Sequence, residues 1–196
     1  MILSFFIPIF KWEGTCMSFK KQLRQEVLAH LSALSQTQRS EKQASLYKQL
    51  FDSLEWQQAK TIAVTISKQP ECETRPVIEQ AWKEGKGVFI PRTVTNGRLM
   101  EFCSYTHKTD TRDVHGLQEP LLEAISTSKD SIDLILVPGV VYHQNGYRIG
   151  FGGGYYDRYL ADYRGKTVSL VFEEQLSDKV VAERYDIAVQ RLIISN

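Results

Sequence analysis

A dense group of glycines in the C-terminal half of the chain is the feature most able to do chemistry. Five of the twelve glycines lie between residues 146 and 154, inside the segment NGYRIGFGGGYYDRYL of residues 145–160. Consecutive glycines permit positive φ and close approach of the backbone, so several N–H groups can converge on an anion. A helix that begins near Tyr155 adds its positive end. The segment therefore predicts a loop that binds phosphate groups.

The spacing of these glycines excludes two better-known phosphate loops. A Walker A loop requires the pattern G-x-x-x-x-G-K-[ST], which does not occur in the chain. A dinucleotide fingerprint starting at Gly150 would need a glycine where Tyr155 stands, and it belongs to the first strand–helix unit of a fold. The predicted loop is of another kind, and it is flanked by the charged residues Arg148, Asp157 and Arg158.

Two helices are predicted ahead of the first strand. Apolar residues at three- and four-residue steps indicate a helix over residues 18–33, which places Lys20 and Arg24 on one face. Ser35 and Gln38 have the spacing of a capping box, so a second helix is expected to begin there.

The remainder of the chain alternates between strands and helices. This alternation predicts an α/β layered domain with a mostly parallel sheet flanked by helices. Ligands of such sheets gather at the carboxyl ends of the strands, which here lead into the loops 67–74, 138–156 and 173–175. A helix is expected over residues 74–82, with strands at 61–66, 87–91, 99–105, 132–137, 168–172 and 192–194.

Composition limits the classes of function. The chain has 196 residues and a net charge of +1, which favours a single domain and gives no general attraction for nucleic acid or anionic membranes. A basic stripe interleaved with aromatic residues is also lacking, so a nucleic-acid-binding module is the weakest of the candidate classes. The three cysteines and four histidines show no disulfide or transition-metal spacing. Magnesium held by carboxylates and phosphates would leave no such pattern.

The N-terminal segment is expected to be an extension of the domain. Residues 1–10 read MILSFFIPIF, a run too short to cross a bilayer and without the features of a secretory signal. Met17 offers a second start, so residues 1–16 are interpreted as an extension and residues 17–196 as the domain. A strand or anchor that docks on the domain is the alternative. The expected location is the cytoplasm, with no membrane or nucleic-acid partner, as a monomer or small homo-oligomer.

The segment VPGVVYHQNGYRIGFGGGYYDRYL, residues 137–160, resembles the signature of the 5-formyltetrahydrofolate cyclo-ligase family. The family pattern is a Val-Pro-Gly strand end followed by Gly-x-Arg-hydrophobic-Gly-x-Gly-x-Gly-Tyr-Tyr-Asp. Three other features agree in order, namely Lys20-x-x-x-Arg24, Glu71-Cys72-Glu73-Thr74 and Phe172-Glu173-Glu174-Gln175. The resemblance spans nearly everything after Met17.

The resemblance implies an enzyme that uses ATP and magnesium to convert 5-formyltetrahydrofolate into 5,10-methenyltetrahydrofolate, ADP and phosphate. It implies ATP contacts from Lys20, Lys21, Arg24, Arg148, Ile149, Gly150, Phe151, Gly152, Gly153, Gly154, Tyr155 and Tyr156. It assigns the folate to Ile66, Glu71, Gly152, Gly153, Gly154 and Tyr155, and magnesium to Asp157 and Asp186. No residue is assigned to the chemical step itself.

One position departs from the family pattern. Phe151 stands where some members carry a basic residue inside the glycine loop, so a contact with phosphate or with the folate tail is lost there unless Arg158 or Arg164 replaces it. The alternative function is a non-catalytic protein that binds nucleotide or folate on the same fold.

Overall fold

Three helices precede the first strand of the fold. The computed structural model describes residues 12–94, 99–114 and 116–195. Helix α1 begins before the predicted residue 18, and the predicted domain start at Met17 lies within it, while residues 1–11 of the proposed extension lie outside the described residues. The third helix was not predicted because its five residues are too few to show a helical period. The three helices are α1 (Trp12–Ala33), α2 (Gln36–Phe51) and α3 (Leu54–Gln58).

The predicted capping box at the start of α2 is confirmed. The Ser35 hydroxyl accepts a hydrogen bond from the Gln38 N–H at 3.2 Å, and the Gln38 side chain accepts one from the Ser35 N–H at 3.0 Å. Two N–H groups that the first turn leaves without helical partners are thereby satisfied. The start of α2 is thus set by its own sequence. Side chains of α2 also bind the loop 67–74 of the candidate site.

A six-stranded sheet forms the centre of the fold, and the predicted α/β class is confirmed. Its strand order is β10-β9-β6-β1-β2-β3, and every neighbouring pair is parallel except β2 with β3. Helix α4 (Arg75–Lys83) connects β1 to β2. The strands of this sheet are β1 (Thr61–Val64), β2 (Gly87–Val94), β3 (Leu99–Ser104), β6 (Leu134–Leu136), β9 (Lys166–Val171) and β10 (Arg191–Ile194).

Two small hairpins lie outside this sheet, and sequence patterns did not predict them. One pairs β4 (Thr111–Val114) with β5 (Leu117–Pro120), and the other pairs β7 (Val141–Tyr142) with β8 (Arg148–Ile149). The second hairpin leads directly into the glycine loop, after which helix α5 (Tyr155–Leu160) begins where predicted. The hairpin therefore anchors the start of that loop.

Helices cover both faces of the sheet, as the layered prediction requires. Successive strand residues point to opposite faces, so Ile62 and Val64 pack with α1, α2 and α4, whereas Ala63 packs with α5. The buried apolar runs of β1 and β6 are those of strands covered on both sides. Within the part of the chain that the structure describes, no helix combines the length and apolarity needed to cross a bilayer.

Candidate functional site

The loops that follow β1, β6 and β9 meet at one edge of the sheet, as predicted for the carboxyl ends of parallel strands. A cavity of about 50 Å³ lies between them. Its floor is the end of β1 and β6, and its rim includes the glycine turn after β6 and the short 3₁₀ turn Glu173–Gln175 after β9. Among its lining residues are Glu71, Cys72, Pro138, Gly139, Tyr142 and Gln175.

The glycine loop turns into α5 through a residue whose backbone conformation favours glycine. Gly154 precedes α5 with φ of 64°, in the left-handed region, and no side chain caps the helix there. A Cβ at this position would lie 2.8 Å from Arg158 Nη1, and the Arg158 guanidinium donates a hydrogen bond to Gly153 O at 2.6 Å. Arg158 also lies over the Tyr155 ring, 5.5 Å from its centroid. Arg158 therefore contacts the glycine loop from within α5.

Of the cations predicted on helix α1, Arg24 reaches this loop, whereas Lys20 pairs with nearby carboxylates. The Nη2 atom of Arg24 lies 3.7 Å from where a Cβ of Gly152 would be, and its Nε is buried without a hydrogen-bond partner among the described residues. Lys20 Nζ lies 2.7 Å from Glu183 Oε1 and 3.8 Å from Asp186 Oδ2. Lys21 is exposed beside them. The arrangement places positive charge against the glycine backbone, which favours a bound anion.

Arg148 is buried and engaged with the protein. Its side chain is 3% exposed, and its guanidinium donates to Asp157 Oδ1 at 3.1 Å and to Ile187 O at 2.7 Å. The Ile187 N–H in turn donates to Asp157 Oδ1 at 3.2 Å. Arg148 thus orders Asp157 and the segment around residue 187. A contact between Arg148 and phosphate, as predicted, would have to use guanidinium N–H groups that do not take part in these two hydrogen bonds.

The two carboxylates predicted to bind magnesium lie on adjoining segments. Asp157 is bonded to Ile187, the residue that follows Asp186, and Asp186 Oδ2 accepts a hydrogen bond from Glu183 N at 2.8 Å. No group of three or more His, Cys, Asp and Glu that could hold a metal occurs in the described ranges. Magnesium is usually held by one or two carboxylates with phosphate oxygens, so this donor set fits magnesium that arrives with a nucleotide.

Glu71 lies in the loop after β1, at the cavity rather than at the α1 cations. Burial raises the pKa of its half-buried carboxyl group, while the Lys68 N–H, 3.5 Å from Oε2, acts in the opposite direction. Ile66 is buried at the end of the same strand region. The Tyr156 hydroxyl lies 2.6 Å from Thr65 Oγ1, so α5 is tied directly to the end of β1. Burial raises the pKa of Tyr156 as well, which keeps this hydroxyl protonated.

Of the two arginines considered as substitutes for a basic residue at position 151, only Arg158 lies at the glycine loop. The Phe151 side chain is 58% exposed, and Arg158 adjoins the glycine loop beside it. Arg164 lies elsewhere, in a cleft of about 380 Å³ at the amino ends of the strands, so it was wrongly considered as a replacement. Because α5 and the turn after it run back across the sheet, six residues of sequence carry the chain from Arg158 to the opposite edge.

The same cleft contains a Gly-Lys-Thr sequence that resembles part of a phosphate loop. Gly165 immediately precedes β9, Lys166 and Thr167 begin it, and Leu160 stands where a Walker A loop has its first glycine. Two of these residues are already strand, with Lys166 paired to Leu134. An extended strand cannot wrap its N–H groups around a phosphate, so the exclusion of a Walker A loop holds.

Some contacts of the site carry no signal in the sequence. Glu183, which pairs with Lys20, is an exposed acidic residue in an irregular segment. Gln175 belongs to the Phe172-Glu173-Glu174-Gln175 motif, but the sequence assigned it no role. Its side-chain amide donates to Gly139 O and Val140 O, both at 3.1 Å, and fixes the glycine turn after β6. Thr65 could have been noticed only as the polar residue that ends a buried strand.

The structure is that of an α/β protein in which a glycine loop, Arg24 of α1 and the carboxylates of Asp157 and Asp186 accompany a small cavity at the carboxyl ends of the strands. The sequence profile of the 5-formyltetrahydrofolate cyclo-ligase family matches residues 16–195. The chain belongs to this family, and both the predicted family and the prediction of an enzyme of this kind are confirmed.

Relatives and solved structures agree with this membership. The mouse 5-formyltetrahydrofolate cyclo-ligase is 29% identical over 91% of this chain and 95% of its own length. A probable 5-formyltetrahydrofolate cyclo-ligase of Schizosaccharomyces pombe is 34% identical over 76% of this chain and 75% of its own. The NMR structure of Aquifex aeolicus 5,10-methenyltetrahydrofolate synthetase superposes with a TM-score of 0.77 at 27% identity, covering 90% of this chain and 89% of that one.

Proposed function

We propose that this protein converts 5-formyltetrahydrofolate and ATP into 5,10-methenyltetrahydrofolate, ADP and phosphate, in the presence of magnesium. The observation that carries the proposal is the approach of Arg24, whose Nε has no hydrogen-bond partner among the described residues, to the glycine loop, together with the separate cavity that Glu71 lines. One region offers cations and backbone N–H groups to a triphosphate, and the other offers a carboxylate to a heterocycle. Buried free thiols, Cys72 and Cys103, suit the reducing cytoplasm that we propose as its location.

The proposed chemistry activates a poor leaving group. The γ-phosphoryl group moves from ATP to the formyl oxygen, the N5 lone pair forms the C=N bond, and ADP leaves. N10 then attacks the same carbon, the C–O bond breaks, and phosphate departs together with the N10 proton. Such a reaction depends mainly on alignment and on neutralising charge.

The residues of this chain divide those tasks. Lys20 and Arg24 bind the phosphates against the backbone of Gly150–Gly154, and the ion pair with Arg148 orients Asp157. Glu71 accepts hydrogen bonds from the amino and ring N–H groups of the pterin. Magnesium held by Asp157 and Asp186 would neutralise charge on the transferring phosphoryl group.

Variants of the α1 cations and of Glu71 should each impair the binding of a different substrate. Lys20→Ala and Arg24→Ala should each raise the KM for ATP about tenfold or more, since losing a hydrogen bond to a charged group costs ~1.5–3 kcal/mol. Glu71→Gln should raise the KM for the folate and leave the KM for ATP unchanged, because an amide has one acceptor oxygen instead of two. Steady-state kinetics with each substrate varied in turn measures both.

Lys83→Ala, which removes an exposed charge from the last turn of α4, is the matched control and should change neither KM. If Arg24→Ala left the KM for ATP unchanged, the phosphate assignment would be wrong. If Glu71→Gln raised the two KM values equally, Glu71 would serve folding instead of folate binding.

A further inference from the structure

Three side chains along one face of α2 hold the loop that carries Glu71. Arg39, Gln43 and Tyr47 recur at four-residue steps, so they project from the same face of the helix. All three bind backbone groups of the loop 67–74. Nothing in the sequence motifs assigned a role to this face.

The three contacts bracket Glu71 and Cys72. Arg39 Nη1 donates to Pro70 O at 2.8 Å, immediately before Glu71. On the other side, Gln43 Oε1 accepts from the Glu73 N–H at 2.7 Å, and the Tyr47 hydroxyl donates to Glu73 O at 2.7 Å. Side chains of α2 therefore bind both the backbone N–H and the backbone C=O of Glu73.

Helix α2 is itself anchored to the rest of the fold near both of its ends. Arg39 is 7% exposed, binds Leu31 O at the end of α1, and lies over the Phe172 ring at 5.5 Å. Further along α2, Gln49 Nε2 donates to Ile194 O in β10 at 3.0 Å. The loop is thus attached to a helix that is anchored to the core at both ends.

Glu71 is held less directly than the backbone around it. Its carboxylate accepts a long hydrogen bond, 3.5 Å, from the Lys68 N–H within the same loop. A bond of this length fixes a side chain poorly. The position of the carboxylate therefore depends on where residues 70 and 73 place the backbone.

We infer that Gln43 and Tyr47, together with the buried Arg39, are positioning residues. They hold the backbone on either side of Glu71 so that its carboxylate faces the folate ring, and they thereby determine the affinity for the folate substrate. The inference rests on the proposed role of Glu71. A side chain that must meet fixed donors on a rigid heterocycle loses affinity when its backbone shifts by a fraction of an ångström.

The test compares variants of α2 in the full chain. Gln43→Ala and Tyr47→Phe should each raise the KM for 5-formyltetrahydrofolate about three- to tenfold, the effect of one neutral hydrogen bond, and leave the KM for ATP within twofold. Gln43→Glu retains an acceptor for the Glu73 N–H and should restore the folate KM to within about twofold of the parent. Lys48→Ala, which removes an exposed ion pair between α2 and Asp52, is the control and should leave both KM values unchanged.

A double variant separates positioning from general stability. In a Glu71→Gln background, Gln43→Ala should raise the folate KM by less than about twofold, because the group that it positions has already been altered. Full multiplication of the two effects, or an equal rise in both KM values, would overturn the inference.

The result for Glu71 alone keeps the two proposals distinct. If Glu71→Gln weakens folate use but Gln43→Ala and Tyr47→Phe do not, the inference is wrong while the proposed function stands. If Glu71→Gln leaves the folate KM unchanged, the proposed role of Glu71 is wrong and the inference falls with it.

Discussion

Replacing Asp157 with asparagine is expected to lower the turnover about 100-fold or more and to raise the magnesium concentration that gives half the maximal rate. Asparagine keeps the size and one oxygen of aspartate but carries no charge. A metal ion contributes several kcal/mol of charge stabilisation in phosphoryl transfer, and roughly 1.4 kcal/mol corresponds to tenfold in rate. Magnesium titrations of the initial rate, with ATP in excess of its KM, measure both quantities.

The structure adds a cost to stability at the same position. The Arg148 side chain is 3% exposed and loses its charged partner in Asp157→Asn, although the asparagine oxygen can still accept its hydrogen bond. We expect about 2 kcal/mol of destabilisation and a Tm lower by roughly 4–8 °C. Magnesium dependence therefore separates the two roles: a lower Tm with an unchanged magnesium requirement would mean that Asp157 acts only through Arg148.

Asp162→Asn is the matched control for the loss of a carboxylate. Asp162 follows α5, is exposed and pairs with Lys129. Exposed ion pairs contribute ~0–1 kcal/mol, so this variant should keep the parent's turnover and magnesium requirement. A comparable loss of rate in Asp162→Asn would show that charge near α5, and not a metal ligand, is what Asp157 supplies.

Gly146→Ala is expected to destabilise the fold by about 2–5 kcal/mol, since it combines an unfavourable backbone conformation with a steric clash. Gly146 has φ of 92°, and an added Cβ would lie 2.2 Å from Val189 O. The Val189 N–H donates to Gly146 O at 3.0 Å, so the clash falls on a segment that this hydrogen bond fixes. At roughly 2–4 °C per kcal/mol, Tm should fall by about 4–20 °C, measured by thermal unfolding.

Gly150→Ala provides the comparison within the same glycine-rich segment. A Cβ at Gly150 would meet nothing within 4 Å, so its Tm should stay within about 2 °C of the parent protein. If Gly146→Ala matched Gly150→Ala in Tm, the close approach between the second hairpin and residue 189 would not exist in solution.

Local patterns were sufficient to predict most of the fold and the place of the glycine loop ahead of α5. The capping box at Ser35, the buried run of β6 and the start of α5 at Tyr155 each depend on neighbouring residues in the chain. The glycine loop was recognisable for the same reason, because its density of glycines has few structural explanations. These features required no knowledge of long-range contacts.

The remaining features depend on contacts between residues distant in sequence. Arg148 was identified as a cation, but its burial against Asp157 and Ile187 follows from how the hairpin β7–β8 packs beside residue 187. The hairpin itself has strands of two residues, too short for an alternating pattern to be visible. Arg164 is close to Arg158 in sequence, yet the turn after α5 carries it to the other edge of the sheet.

The proposed cyclo-ligase activity is measured by the absorbance of 5,10-methenyltetrahydrofolate during incubation of the purified full chain with 5-formyltetrahydrofolate, ATP and magnesium. We expect the absorbance to rise only when all three are present, with one ADP formed for each methenyl product. Omission of ATP or of magnesium should abolish the rise. If ATP and the folate both bind, as measured by calorimetry, but no product forms under any of these conditions, the protein is a non-catalytic binder and the proposed function is wrong.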